Sequence, residues 1–444
     1  MPQSSVEDID APPEKIISEA LQSLSLKERE HAYEDIHGVS KPIPETDDLV
    51  STSLDRMAAE IEKIEEKSAY EQAKNLSEDI VTKRETRLGF LRADSFNPKK
   101  AADRYVKYFE QRLALFGPEK LVQDVTLDDF DEKTMETLSR GILQILPNRD
   151  SRGRAIVVVS AAFFSSSQYT GHDAVLIWGQ IFFYMMLSLA DDEETQRKGV
   201  VLINYSLDAR PRNMQLRRKI LSCNGKSIQC LPIKLLGVHL CHNSPMVQPI
   251  LSFIARCNGT AVSVRIRPHE GSHSECQYSL ISFGIPIKSF PISIDGGLML
   301  SNHNKWIQKR GLKEKYRANK SLPLGKSIDL PSTTDVLLGR GRPFNFHPGN
   351  RLLHEIVETY YDQYNSAPRE EKTKISEDVV AIVHRYDGHF LKQDADAGVW
   401  VEVSNLEARN KVNHSFRRKR EFDLKAAGKK VAVGKEGQEK RLKV

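Results

Sequence analysis

Sulfur is scarce in this chain: 444 residues hold five cysteines, Cys223, Cys230, Cys241, Cys257 and Cys276. The number is odd, all five fall in one segment and none forms a C-x-x-C pair. Neither a disulfide framework nor a zinc ribbon is therefore indicated, and a reducing compartment is expected. Long apolar runs are equally scarce. The one membrane-span candidate, from Ala174 to Ala190, covers about 17 residues, contains Gly179, Gln180 and Ser188, and is flanked by Asp173 and by Asp191-Asp192-Glu193-Glu194. A span needs about 20 apolar residues with basic anchors, so a buried core helix is expected instead. The opening text MPQSSVEDIDAPPEK has no apolar signal core and is not an Arg-rich transit sequence. The expected location is the cytoplasm or the nucleus.

Catalytic motifs are thin as well. Gly225-Lys226-Ser227 and Gly325-Lys326-Ser327 end like P-loops, but Ile220 and Lys320 stand where the first glycine belongs. No G-x-S-x-G elbow and no paired-carboxylate signature stand out. His269-Glu270-Gly271-Ser272-His273 spells H-E-x-x-H, which on a helix would aim two imidazoles at one zinc. The context points elsewhere: VSVRIR before it alternates like a strand, Gly271 disfavours a helix, and Ser274 with Gln277 suits a capping box. Both histidines are therefore expected in a loop, with the next helix starting after His273. His239, Cys241 and His242 alternate along a presumed strand, where buried or capping roles are expected. The reading is of a non-enzymatic protein with no catalytic residue, no metal and no cofactor.

What is present is an ordinary globular composition, 39% hydrophobic and 28% charged, with a mean hydropathy of −0.46. The formal charge of +5 is uneven. The first hundred residues lean acidic and the stretch after Arg409 is crowded with Lys and Arg, which suggests different partners for the two ends. Residues 1–85 read as a mobile, acidic helical leader, with Leu54, Met57, Ile61 and Ile64 at helical spacing. Residues 86–147 hold a helix capped by Asn97-Pro98 and stopped by Gly117-Pro118. From Arg152, β-branched runs alternate with helical stretches over residues 148–300, which implies an α/β domain with a largely parallel sheet. Residues 301–332 read as a polar connector, 333–425 as a small α+β domain, and 426–444 as a disordered basic tail. In the α+β domain, HFLKQ and VWVEV flank the turn DADAG as a hairpin, and Ser404 to Glu407 form a capping box that opens the last helix.

The segment FLRADSFNPKKAADRYVKYFEQRLALFG resembles the helical leader that precedes CRAL-TRIO domains. The following region is similar to the CRAL-TRIO domain itself at Ser151-Arg152-Gly153-Arg154 before the first strand, at LPIKLLGVHLCHNSP with its Asn243-x-Pro245 step, and at Pro291 to Gly297. The resemblance implies a mixed sheet with helices on one side, an apolar pocket between them, and a gate helix, here MVQPILSFIARC. It implies a lipid or other hydrophobic small molecule as ligand and a transient membrane surface as partner. Burying an alkyl chain recovers about 0.8 kcal/mol per methylene, provided that a lid excludes water. The candidate walls are Phe163, Trp178, Phe182, Ile203, Tyr205, Leu240, Ile250, Phe253 and Ile254, with solid core packing as the plain alternative.

Residues from about 330 to 425 resemble an uncharacterised domain recurrent in algal proteins, through DVLLGRG, Asn345, His347-Pro348-Gly349-Asn350, Phe390-Leu391-Lys392 and Trp400. Arg409, Lys411, Arg417, Arg418, Lys419 and Arg420 on its last helix are the candidate contacts for a nucleic acid or another anionic partner. Gly339-Arg340-Gly341 offers backbone N–H groups to a phosphate, with a plain turn as the alternative. Two functional readings follow: lipid binding or transfer by the middle domain, or a nucleic-acid-binding regulator whose middle domain senses an apolar ligand.

Overall fold

The structure is a computed structural model that describes residues 12–166, 172–210, 213–318, 327–328, 331–339, 341, 344, 346–393 and 400–439. It divides into two compact units, Met1–Gln308 and Lys309–Val444. The first begins with seven helices: α1 (Pro13–Gln22), α2 (Leu26–His37), α3 (Asp47–Glu62), α4 (Ser68–Leu76), α5 (Glu78–Thr82), α6 (Arg84–Ala93) and α7 (Pro98–Phe116). Local signals set their ends. Ser25 and Glu28 form a capping box at α2, Gly38 closes that helix in the left-handed conformation, and Asn97 caps α7 with Pro98 behind it. The expected mobile leader is instead part of the unit, because Ile36, Met57 and Ile61 are fully buried. Spaced apolar residues on several short helices need a core, and here they share one with α7.

After α8 (Glu132–Ser139), five strands form one sheet: β1 (Leu143–Ile145), β2 (Ala155–Ser160), β3 (Val200–Tyr205), β4 (Leu235–His242) and β5 (Ile266–Glu270). They lie in chain order, β1 antiparallel to β2 and the other neighbours parallel. The crossovers carry α9 (His172–Leu189), α10 (Glu193–Lys198), α11 (Met214–Cys230), α12 (Gln248–Cys257) and α13 (Thr260–Ser263), and α14 (His273–Ser282) follows β5. Continuous apolar text in β2, β3 and β4 reflects burial on both faces. Val157, Leu202, Val238 and Leu240 point into the larger core with α7, α9 and α12. Ile156, Val158, Val201, Ile203 and Cys241 point the other way, onto Cys276, Leu280 and Phe290. The expectation of helices on one side alone is therefore corrected. Among the described residues, no helix is long and apolar enough to cross a membrane.

Other boundaries also differ from expectation. The connector predicted from 301 begins as a helix, α15 (Ser301–Ala318), whose His303 is fully buried. Its expected Pro323 lies outside the described residues. Thr260–Ser263 is a helical turn, so the strand predicted as VSVRIR starts later and includes His269. The next helix is capped by Ser272 with Glu275, so His273 is its first residue. Pro249 sits in the first turn of α12, where a missing N–H breaks no helical bond.

The second unit has a four-stranded sheet ordered β6-β9-β8-β7, from β6 (Ser327–Ile328), β7 (Val336–Leu338), β8 (Phe390–Gln393) and β9 (Trp400–Glu402). Between β7 and β8 come α16 (Pro348–Thr359), α17 (Tyr361–Ser366) and α18 (Arg369–Arg385), and α19 (Asn405–Glu439) ends the unit. The predicted hairpin is there as antiparallel β8 and β9, with its DADAG turn outside the described residues. Ser404 and Glu407 cap α19 as read from sequence. That helix passes Gly428 and continues to Glu439, where a disordered tail was expected.

A buried ionic network ties the leader to the sheet. Arg154, just before β2, is 1% exposed; its Nε donates to Asp150 at 2.5 Å, and its Nη1 donates to the carbonyls of Asp35 and Ile36 in α2 at 2.5 and 2.9 Å. Asp150 also accepts the backbone N–H groups of Arg152 and Arg154, while Arg265 pairs with the buried Asp35 at 2.6 Å. Removing one partner of such a pair leaves the other charge in a poorly solvating interior. Asp150→Ala is expected to lower unfolding free energy by about 3–5 kcal/mol. Chemical denaturation measures this, and a loss under about 1 kcal/mol would mean that the pair behaves like a surface bridge.

Candidate functional site

The expected lipid walls do not converge on one space. Trp178, Phe182 and Ile250 line a cavity of about 50 Å³ together with Leu143, Phe164 and Ile220. Leu240 and Ile254 are packed in the same core, and Phe253 is half-buried with the Arg218 guanidinium 5.9 Å from its ring. Ile203 and Tyr205 belong to the opposite face of the sheet, because alternate residues of a strand point to opposite sides. They are corrected as walls of this cavity. The side chain of Phe163 lies outside the described residues. Pockets for drug-sized ligands measure roughly 300–1,000 Å³, so this cavity, as the described residues form it, has no room for an alkyl chain. Sequence reasoning also missed the cavity's polar lining. Trp178 Nε1, Arg217 Nη2 and Asn224 Oδ1 are buried without partners. Burial holds the Arg217 pKa below its ordinary value, with the guanidinium 4.9 Å from the Phe164 ring.

The H-E-x-x-H histidines serve separate hydrogen-bond chains. His269 sits on β5 with Nε2 2.8 Å from His239 Nδ1 and Nδ1 2.7 Å from Ser279 Oγ. Burial, then Arg267 and His242, push its pKa down to about 4, so the imidazole is neutral at physiological pH. His273 bonds Tyr205 through Nδ1 at 3.0 Å and Asp208 through Nε2 at 2.9 Å. Both nitrogens of each ring are engaged. Among the described residues, no group of three or more His, Cys, Asp or Glu side chains is placed to hold a metal ion.

The larger concavity lies in the second unit and measures about 600 Å³. Its formation starts with Asp335, whose carboxylate accepts Ser332 N at 2.6 Å, His389 N at 2.8 Å and His389 Nδ1 at 3.3 Å. Burial alone would raise the Asp335 pKa, but these hydrogen bonds outweigh it and hold the group below the ordinary carboxylate value. Gly349 and Gly388 then let three segments meet, since a Cβ would stand 2.0 Å from the Asp335 carbonyl oxygen at the first and 2.4 Å from that of Thr334 at the second. Asn350 completes the joint by accepting from Leu337 N at 2.6 Å and donating to Leu337 O at 3.0 Å, as a neighbouring strand would. The His-Pro-Gly-Asn step is thus a folding device that seats α16 against β7.

That seating leaves a basin between Gly339, Gly341, α16, Lys392 of β8 and one face of α19. The face presents Glu407, Lys411, His414 and Arg418 at helical spacing, opposite His354 of α16. Partial burial, then Arg418 and Lys411, hold the His354 pKa below its ordinary value. Lys411 is also depressed, by burial first and Arg418 second, and has no ion-pair partner among the described residues. Of the other expected contacts, Arg409 pairs with Glu377 at 2.7 Å, and Lys419 pairs with Glu358 at 2.9 Å and lies over the Tyr361 ring. Arg417 and Arg420 are exposed on the outside of α19. The six predicted cations therefore divide into basin, outer surface and internal pairs. His354, His414 and Lys392 were not among them, because their convergence with Lys411 depends on three separate elements.

The comparisons with known proteins bear on this unit. Residues 335–418, which include most of the basin lining, match the family described as a domain of unknown function (DUF6824). No CRAL-TRIO family match accompanies it. No curated protein matches the chain.

Proposed function

We propose that the C-terminal unit binds nucleic acid through its phosphate backbone, with the basin receiving a phosphate and the exposed turn of α19 following the strand. The observation that carries this reading is the crowding of Lys411, Arg418 and His354 in one solvent-open basin, where Lys411 and His354 each lose proton affinity to partial burial first and to their cationic neighbours second. A phosphate relieves that repulsion, and Gly339 and Gly341 in the lining support close backbone approach. Arg417 and Arg420 extend the positive surface beyond the basin. Phosphate neutralisation releases counterions, so each lost contact is visible in salt dependence.

In a fluorescence-anisotropy titration of the full chain against single- and double-stranded oligonucleotides, Lys411→Ala with Arg418→Ala should reduce the log K against log salt slope by about 2 units. An unchanged slope and affinity would sink the reading. The same titration should be pH-dependent. Protonation of His354 is disfavoured in the free unit and favoured beside a bound phosphate, so the complex takes up a proton and affinity rises from about pH 8 to pH 6. His354→Gln should flatten that rise, leaving whatever part His414 contributes.

A second reading concerns the first unit, as a CRAL-TRIO-like binder that takes a lipid or other hydrophobic small molecule from a membrane surface. One observation favours it: α12, the expected gate, puts Ile250 in the cavity wall and buries Leu251 and Ile254 in the same core, while Met246 at its approach is 63% exposed. Loading would require α12 to swing out, since the present space is about 50 Å³. Solvent extraction and mass spectrometry of the purified full chain should yield one lipid per protein. Lipid-free protein that also takes up none from labelled vesicles would count against it.

A further inference from the structure

A second basic cavity, of about 140 Å³, lies at the opening ends of the parallel strands in the first unit. Arg152 and Arg154 precede β2, Lys198 precedes β3 and Lys234 precedes β4, because each crossover returns the chain to the same edge of a parallel sheet. The loop after α2, with Gly38 and Lys41, forms the opposite wall. The lining carries seven Lys or Arg residues against one carboxylate, Glu45. Arg92 and Arg197 both pair with Glu45 and Glu193. Lys41, Arg152, Lys198 and Lys234 have no ion-pair partner among the described residues.

Two features mark this as a built site rather than a patch of surface charge. Arg154 is 1% exposed, three of its donor positions are fixed by Asp150, Asp35 and Ile36, and its Nη2 is buried without a partner. A buried guanidinium donor left unbonded is costly, and a charge-assisted bond to an oxyanion would offset that cost. Gly38, at φ +64°, lets the loop after α2 approach both arginines closely: a Cβ there would lie 2.8 Å from Arg152 Cγ and 3.0 Å from Arg154 Cζ. Lys234 is largely buried, and burial, which outweighs the nearby Asp35, holds its pKa below the ordinary lysine value. A further negative charge beside it would raise that pKa again.

We propose that this cavity is an anion site that takes a phosphate group, with Arg154 Nη2 and Lys234 as inner donors and Arg152, Lys41 and Lys198 at the mouth. The volume is below the roughly 300 Å³ at which pockets accept drug-sized ligands, so the site grips a single phosphate and leaves any attached group outside. The bound species is inorganic phosphate, a soluble phosphomonoester or the exposed phosphate of a lipid headgroup. The proposal is independent of both readings given above, since it concerns neither the basin of the second unit nor the apolar cavity.

The experiment uses the full chain carrying Lys411→Ala and Arg418→Ala, so that the second basin does not contribute. Isothermal titration with inorganic phosphate should give one site per chain, and millimolar phosphate should raise the melting temperature where equal ionic strength of chloride does not. Lys234→Met, which keeps the buried stem and removes the charge, should weaken binding at least about tenfold. Should that variant fail to fold, Lys41→Ala on the exposed loop should still weaken it by about threefold. Sedimentation with phosphatidylcholine vesicles, with and without phosphatidate, separates the sources. Phosphatidate-dependent, Lys234-dependent pelleting assigns a headgroup, and titration without pelleting assigns a soluble phosphate. No phosphate binding and no such pelleting, or binding that neither variant alters, overturns the proposal.

Discussion

The ionic contact between Arg154 and Asp150 is the constraint on which much of the first unit depends. Burying the pair is expensive, and its geometry repays the desolvation only because every neighbour is also fixed. Asp150 accepts two backbone N–H groups besides the guanidinium, and Arg154 reaches two carbonyls near the carboxyl end of α2, where the helix carries partial negative charge. Arg265 then neutralises Asp35 on that same helix. A polar leader helix is thereby joined to the sheet by directional bonds as well as by Ile36. The loop that follows α2 inherits its position from this joint, and so does the basic cavity that it walls.

The joint between β7 and α16 in the second unit is built differently. It relies on close backbone approach: Gly349 and Gly388 admit the carbonyls of Asp335 and Thr334, Asn350 stands in for a strand, and Asp335 collects the N–H groups left at the crossing. Side-chain packing of Val336, Leu353, Val379, Phe390 and Phe416 then closes the core. With α16 pinned to β7 and α19 packed against α18, the space between α16 and α19 stays open. The motif residues and the basin are thus two consequences of one joint, and the motif itself need not touch a ligand.

Sequence showed the parallel strands, the caps of α7 and α19 and the β8 and β9 hairpin, because each rests on a short-range signal. It did not assign the faces of the sheet. The run from Val200 to Ile203 is apolar without a break, so period-two alternation is hidden, and Ile203 and Tyr205 were grouped with residues on the other side. Nor did it choose between overlapping caps: Ser272 with Glu275 and Ser274 with Gln277 both fit the pattern, and the carboxylate is the stronger acceptor. His303 could not be expected in a core, since the polar text around it has a weak apolar period and the ring is held by a 2.7 Å contact to the Leu138 carbonyl from far along the chain. All six nucleic-acid candidates were legible as charge. Their division into basin, pair and outer surface was not, because pairing with Glu377 and Glu358 is set by tertiary structure.

Many cations of this chain have carboxylates at hand, such as Arg104 with Asp94, Lys120 with Asp129, Arg149 with Asp192 and Arg409 with Glu377, whereas Lys411 in the basin and Lys234 at the strand ends have no ion-pair partner among the described residues. An excess of +5 spread evenly over 444 residues would leave isolated, hydrated lysines with no consequence. Here part of that excess is gathered in concavities, at Lys411 in the basin and Lys234 at the strand ends, and both amines give up proton affinity to burial. A fold that only needed solubility would place these side chains outward, where hydration costs nothing. Holding them inward stores repulsion and desolvation that an incoming anion relieves, so the uncompensated interior charge is itself the argument for ligands of opposite sign.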